Sequence, residues 1–162
     1  MIQLSAKLNE LFADLDAEVL QSSKQWAIGR VHALKEFKQT EEYTELNKKG
    51  AWGGVYDKLF AIAGGKTWYT LFSRSSATQI EEFVVKNCKA IADKRNASIA
   101  TKLAKAGVKE VISEEFTHSR DGFNGIFIVH TDAGNKCVTI ETIRAGGYNI
   151  QALHLRVLVK VK

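Results

Sequence analysis

Between Phe123 and Val161 apolar and polar positions alternate in three runs, FNGIFIVH, CVTIETIR and IQALHLRVLVKV, separated by TDAGNK and AGGYN. Short runs rich in Ile, Val, Phe and Thr between Asp, Gly and Asn turns predict an antiparallel meander. Glu110 to His118 adds a fourth strand, joined through Arg120-Asp121-Gly122-Phe123. Centring the turns on Asp121-Gly122, Ala133-Gly134 and Gly146-Gly147 sets three pairings. Phe116 then faces Phe127, Val138 faces Val129, and Ile140 faces Phe127 on one side and Leu153 on the other. With that register one face collects Ile112, Phe116, Phe127, Val129, Val138, Ile140, Leu153, Leu155 and Val157, a core face that needs a cover. The other face carries Ser113, His130, Cys137 and Arg156 in one cross-strand row, and Glu115, Ile128, Thr139 and His154 in the next. Ile126 and Ile128 on that polar side predict that it too is partly covered, by the N-terminal helix or another chain.

Upstream the period changes from two to between three and four. Leu4, Leu8, Leu11, Phe12, Leu15 and Val19 form one helical stripe behind Ser5, a suitable N-terminal cap. Trp26, Ile28, Val31, Leu34 and Phe37 resume it after Gln21-Ser22-Ser23. One helix running to about Asn47 and two helices meeting at Ser22-Ser23 both satisfy this pattern. The heptad-like Leu8, Leu11 and Leu15 last too briefly for a coiled coil, so intramolecular docking is the reading here, with self-association as the lesser one. The clearest helix opens at Ser75-Ser76. Ser76 or Thr78 caps it, Val85, Cys88, Ala92, Ile99, Leu103 and Ala106 make its buried stripe, and Gly107 stops it. Docked on the meander, it completes an α+β fold: N-terminal helices followed by a four-stranded antiparallel β-meander with one long helix packed on it. The expected organisation is a single domain with an N-terminal helical segment (1–48), a Gly/aromatic connector (49–75), and helix plus meander (76–162).

Within the connector, Val55 to Ala63 reads as a short helix between glycine pairs. Gly64-Gly65-Lys66-Thr67 invites comparison with a phosphate-binding GxxxxGK[ST] loop. Phe60 occupies the first glycine position, however, and a helical pattern precedes it where such a loop follows a strand. A glycine helix stop is the better account.

Charge adds a partner question. The net charge is +5, and residues 51–109 alone carry ten Lys/Arg against four Asp/Glu. Lys86, Lys89, Lys94, Arg95, Lys102 and Lys105 surround the stripe of the long helix. From Thr142 on there are four basic residues, among them Arg156 and Lys160, and no acid. Lysines on a terminal strand guard a sheet edge against aggregation, and beside a basic helix they also make a phosphate-contacting ridge. The two cysteines, Cys88 and Cys137, are far apart in sequence and fit reduced, buried thiols, which with an acidic N-terminal stretch points to the cytoplasm. No apolar run approaches the roughly 20 residues that cross a bilayer, so no membrane is expected.

Candidate chemistry is thin. No CxxC or clustered histidines suggest a metal, and no cofactor is implied. A restriction-type nuclease core needs an acid on one strand and (D/E)xK on the next. Asp121 and Glu141 mimic the acids, but Ile143 stands in the lysine position. The sequence therefore reads as a binding protein, more readily than as an enzyme. In the first version the basic helix and last strand contact nucleic acid, with Trp52, Trp68 or Tyr69 stacking on unpaired bases. In the second, Trp52, Trp68 and Tyr69, or His130 and His154 on the polar sheet face, bind another protein, as an inhibitor or assembly subunit would. The small size suits an accessory protein of a phage or mobile element.

Overall fold

The structure is a computed structural model that describes residues 4–144 and 155–162, with the backbone alone at Ala51, Trp52, Arg144, Leu155 and Arg156. Five helices precede four strands: α1 (Ala6–Phe37), α2 (Glu41–Lys48), α3 (Val55–Ala63), α4 (Lys66–Arg74), α5 (Ala77–Lys105), β1 (Glu110–Ser119), β2 (Gly122–Thr131), β3 (Gly134–Arg144) and β4 (Leu155–Val161). The strands form one antiparallel sheet in the order β1-β2-β3-β4. This is the α+β architecture expected, helices first and meander last.

Capping follows the sequence closely. Leu8 N–H donates to Ser5 Oγ, and Ser76 forms a reciprocal capping box with Gln79. At the other end of α5, Val108 N–H reaches Leu103 O and Gly107 N–H reaches Ala104 O, with Gly107 at φ 71°. The N-terminal helix neither breaks at Ser22-Ser23 nor continues to Asn47. It stops at Phe37 because Thr40 takes over, accepting from Tyr43 N–H to cap α2 and donating to Phe37 O. Ser23 is fully buried beside Cys88, so its polarity marks a close approach of α1 to α5 and no break.

Length explains the layout. At 1.5 Å per residue α1 and α5 run about 48 and 44 Å, while four strands span only about 19 Å across. Both helices therefore overhang the sheet. Leu8, Phe12 and Leu15 of α1 and Ile99 and Leu103 of α5 cover Phe123, Phe127, Val129, Val138 and Ile140. Their overhanging halves meet α3 and α4 in a second core of Ala27, Leu34, Leu59, Trp68, Phe72, Ile80 and Val84. The stretch 49–75, expected as a connector, thus contributes a 3-10 turn (Gly50–Gly53) and two helices that supply much of that core. The buried stripe of α5 is Ile80, Val84, Arg95, Ile99 and Leu103; Val85, expected inside, is 42% exposed.

The strand register differs from expectation in an instructive way. Phe116 faces Gly125, Phe127 faces Val138, and Ile140 faces Gly125 and Val159. Both hairpin tips hold two non-glycine residues, Arg120-Asp121 and Asp132-Ala133, and the glycine opens the returning strand with positive φ (Gly122 146°, Gly134 98°). Placing glycine inside the tip displaces the first two pairings by two residues, and the β3–β4 pairing, Ile140 with Val159 in place of Leu153, is displaced by six. Side chains alternate with period two, so the faces survive. At β1 a bulge between Val111 and Ser113 reverses this: Val111 packs against the core, and Ile112, expected there, is 53% exposed. Leu153 lies outside the described residues.

Candidate functional site

Three surfaces bear on function: the basic flank of α5 and β4, the open face of the sheet, and the seam between α1 and α5. Lys86, Lys89, Lys94, Lys102 and Lys105 all project from α5 into solvent. Lys89 pairs with Asp93 at 2.7 Å; the other four make no ion pair among the described residues. Their helix packs against β4, an edge strand whose Val157, Val159 and Val161 turn toward the core face that α5 covers; Lys160 and Lys162 are exposed at the same sheet edge but project to the open face.

Arg95 does not belong with them. Its side chain is 7% exposed and forms a two-pronged pair with Asp16, at 2.6 and 2.9 Å. Nε and one terminal nitrogen also donate to Asn96 Oδ1, and the guanidinium lies 4.4 Å from the centre of the Phe12 ring. A cation so fully engaged ties α1 to α5 and offers nothing to a phosphate. The signal was present in sequence: Ile91, Arg95, Ile99 and Leu103 fall at intervals of four, and Asp16 follows Phe12 by four on α1.

Nor do the aromatics form a stacking platform. Trp68 is buried against Trp26, Phe72 and Phe83, and Tyr69 is half-buried against Phe60. Both are second-core residues, which corrects their expected exposure to bases or a partner. The side chain of Trp52 lies outside the described residues, as does His154.

The polar row expected on the open face is dispersed by the register. Cys137 faces Ile128 on one side and exchanges backbone hydrogen bonds with Lys162 on the other; Arg156 stands opposite Ile143. His130 faces Glu110 and Asn135, with Nδ1 3.3 Å from Asn135 Oδ1. His130 and Cys137 therefore do not adjoin in a row with Arg156. The N-terminal helix packs on the opposite, core face, leaving Ile126 and Leu158 42% and 45% exposed on this one.

Along the α1–α5 seam, a groove of about 290 Å³ is lined by Asp16, Leu20, Cys88 and Arg95, and one of about 460 Å³ by Ala27, Val31, His32, Ile80 and Val84. Cys88 is the seam's only thiol. Burial pushes its pKa up; the nearby Ser23 hydroxyl opposes this, and the neighbouring Asp16 charge adds to it. The thiol is thus neutral near pH 7 and a poor nucleophile. Folding disfavours the thiolate, so this group's contribution to stability holds below the ordinary thiol range and declines as pH rises through it, where the unfolded chain deprotonates first. Alkylation of Cys88 by iodoacetamide at pH 8, followed by mass spectrometry, is expected to run at least about tenfold slower in the folded protein than in urea. Equal rates would show the thiol to be accessible and ionised.

Among the described residues no three His, Cys, Asp or Glu side chains come together to hold a metal, and no helix is long and apolar enough to cross a membrane. Comparisons with protein-family models, with curated proteins and with solved structures find no match for this chain.

Proposed function

We propose that this chain is a non-enzymatic binding protein that contacts nucleic-acid phosphates through the lysines of α5 and β4. The observation that carries the reading is the set Lys86, Lys94, Lys102 and Lys105, exposed on α5 and without ion-pair partners among the described residues, with Lys160 and Lys162 exposed on the edge strand that α5 packs against. Unneutralised cations held on rigid elements release counterions from a phosphate backbone when they dock on it. Arg156 belongs to the same strand. With Trp68 and Tyr69 committed to the core, the contact is to the backbone and carries no base stacking, so little sequence preference is expected. The proposed setting is the cytoplasm, where the free, half-buried thiols Cys88 and Cys137 stay reduced.

The test is a combined Lys94→Glu, Lys102→Glu, Lys105→Glu variant titrated with a labelled duplex. Loss of three phosphate contacts and their replacement by repulsion is expected to weaken binding by about 100-fold or more. All three side chains are solvent-exposed, so the circular dichroism spectrum and urea midpoint should hardly move. Unchanged affinity would refute the reading.

A second reading, protein–protein contact through the open sheet face, is favoured by the exposed Ile126 and Leu158.

A further inference from the structure

We propose that the open sheet face binds a second copy of this chain, stacking face to face about a two-fold axis parallel to the strands. This inference rests on the protein-contact reading of that face; it shares Lys160 with the proposed phosphate-contacting set, so it is tested on nucleic-acid-free protein. Its basis is a cross-strand row that is complementary to itself. Glu115 of β1 faces Ile126 of β2, Ile126 faces Thr139 of β3, and Thr139 faces Lys160 of β4. An acid stands at one edge, a base at the other, and uncharged side chains between them.

A two-fold axis running between β2 and β3 along the strands exchanges β1 with β4 and leaves each row at its own height. Glu115 of each copy then meets Lys160 of the other, while Ile126 meets Thr139. In the row to one side Ile128 meets Cys137, and in the row to the other side Asn124 meets Glu141. Every partner is sterically or electrically acceptable, and the contact closes on itself after two copies. Aligned stacking of two sheets about 10 Å apart is an ordinary packing mode. The acidic β1 margin, with Glu110 and Glu115 exposed, argues against a polyanion lying across this face beyond its β4 edge. The patch is about 19 Å wide by roughly 20 Å long. That is small beside the ~800 Å² per partner of a standard interface, so the dimer is expected to be weak, dissociating in the micromolar range.

Within one chain Glu115 and Lys160 are three strand spacings apart, about 14 Å, and beyond direct pairing. A charge swap therefore reports contacts between copies. Sedimentation equilibrium of the nucleic-acid-free protein from micromolar to millimolar concentration is expected to show a monomer–dimer equilibrium. Glu115→Lys and Lys160→Glu should each weaken it by about tenfold or more, since each variant places two like-charged pairs in the interface. Combining the two should restore it. Ile126→Asp should give a monomer that still folds and still binds duplex, because Ile126 is already 42% exposed and remote from α5. A protein monomeric throughout, a dimer indifferent to Ile126→Asp, or a double swap that fails to recover would overturn the proposal. Growth beyond two copies would indicate edge-to-edge pairing of β1 with β4 and would overturn it equally. Loss of duplex binding by Lys94, Lys102 and Lys105 variants bears on the other reading alone.

Discussion

Phe127→Ala is expected to lower the unfolding free energy by about 4 kcal/mol, read from urea denaturation followed by circular dichroism. The ring is fully buried at the centre of the sheet, opposite Val138 on β3 and 5.5 Å from the Phe116 ring, edge to face. Truncation removes the transfer free energy of the ring and leaves a cavity that rigid strands on both sides cannot close. It also uncovers Gly125, whose missing Cβ would come within 2.9 Å of the Phe127 ring and 3.1 Å of the Phe116 ring. These aromatics shield a strand glycine that has no side chain of its own to pack. For a domain whose total stability is on the order of 5–15 kcal/mol, such a loss is a large fraction of the whole. Ile126→Ala, one position away but on the other face, should cost no more than about 0.5 kcal/mol in monomer stability.

Arg95→Ala is expected to cost about 2–3 kcal/mol by the same measurement. Removing one partner of a buried ion pair leaves the other uncompensated, typically at 3–5 kcal/mol. The lower figure applies here because Asp16 keeps a 32% exposed side chain and can recover water. The stacking of the guanidinium on Phe12 is lost as well, so apolar packing between α1 and α5 loosens at the join of the two cores. Pairing Arg95→Met with Asp16→Ala should return much of the loss, because no lone charge then remains at the helix junction. Lys94→Ala, the adjacent exposed residue, should be nearly neutral. A stable Arg95→Ala protein with impaired duplex binding would instead return Arg95 to the phosphate-contacting set.

The α+β layering was legible because helical and strand periodicities separate cleanly along the chain, and because Ser5, Ser76 and Gly107 punctuate the helices. The faces of the sheet were legible for a subtler reason. Glycine sits one place beyond the tips of the first two hairpins, so those turn-centred registers are wrong by two residues; the β3–β4 register is wrong by six, also an even number. Phe127, Val138 and Ile140 stayed together, whereas the row joining His130, Cys137 and Arg156 depended on the number itself and was lost. Ile112 escaped because a bulge has no signature in alternation alone. The second core was hidden by its glycines: Gly54, Gly64 and Gly65 read as breakers of a connector, but they set the corners between short helices. Arg95 shows the limit of counting charges. A basic residue at core spacing on a basic helix looks like one more surface cation until its acid, 79 positions earlier, is brought alongside.

The central claim, that free lysines on α5 and β4 make a phosphate-contacting surface, is tested most directly by the salt dependence of duplex affinity. With about four or five such lysines engaged, log K against log salt concentration should fall with a slope of roughly −4, losing on the order of 10² to 10³ in affinity between 50 and 200 mM salt. A slope near zero, or no binding at the lowest salt, would contradict it.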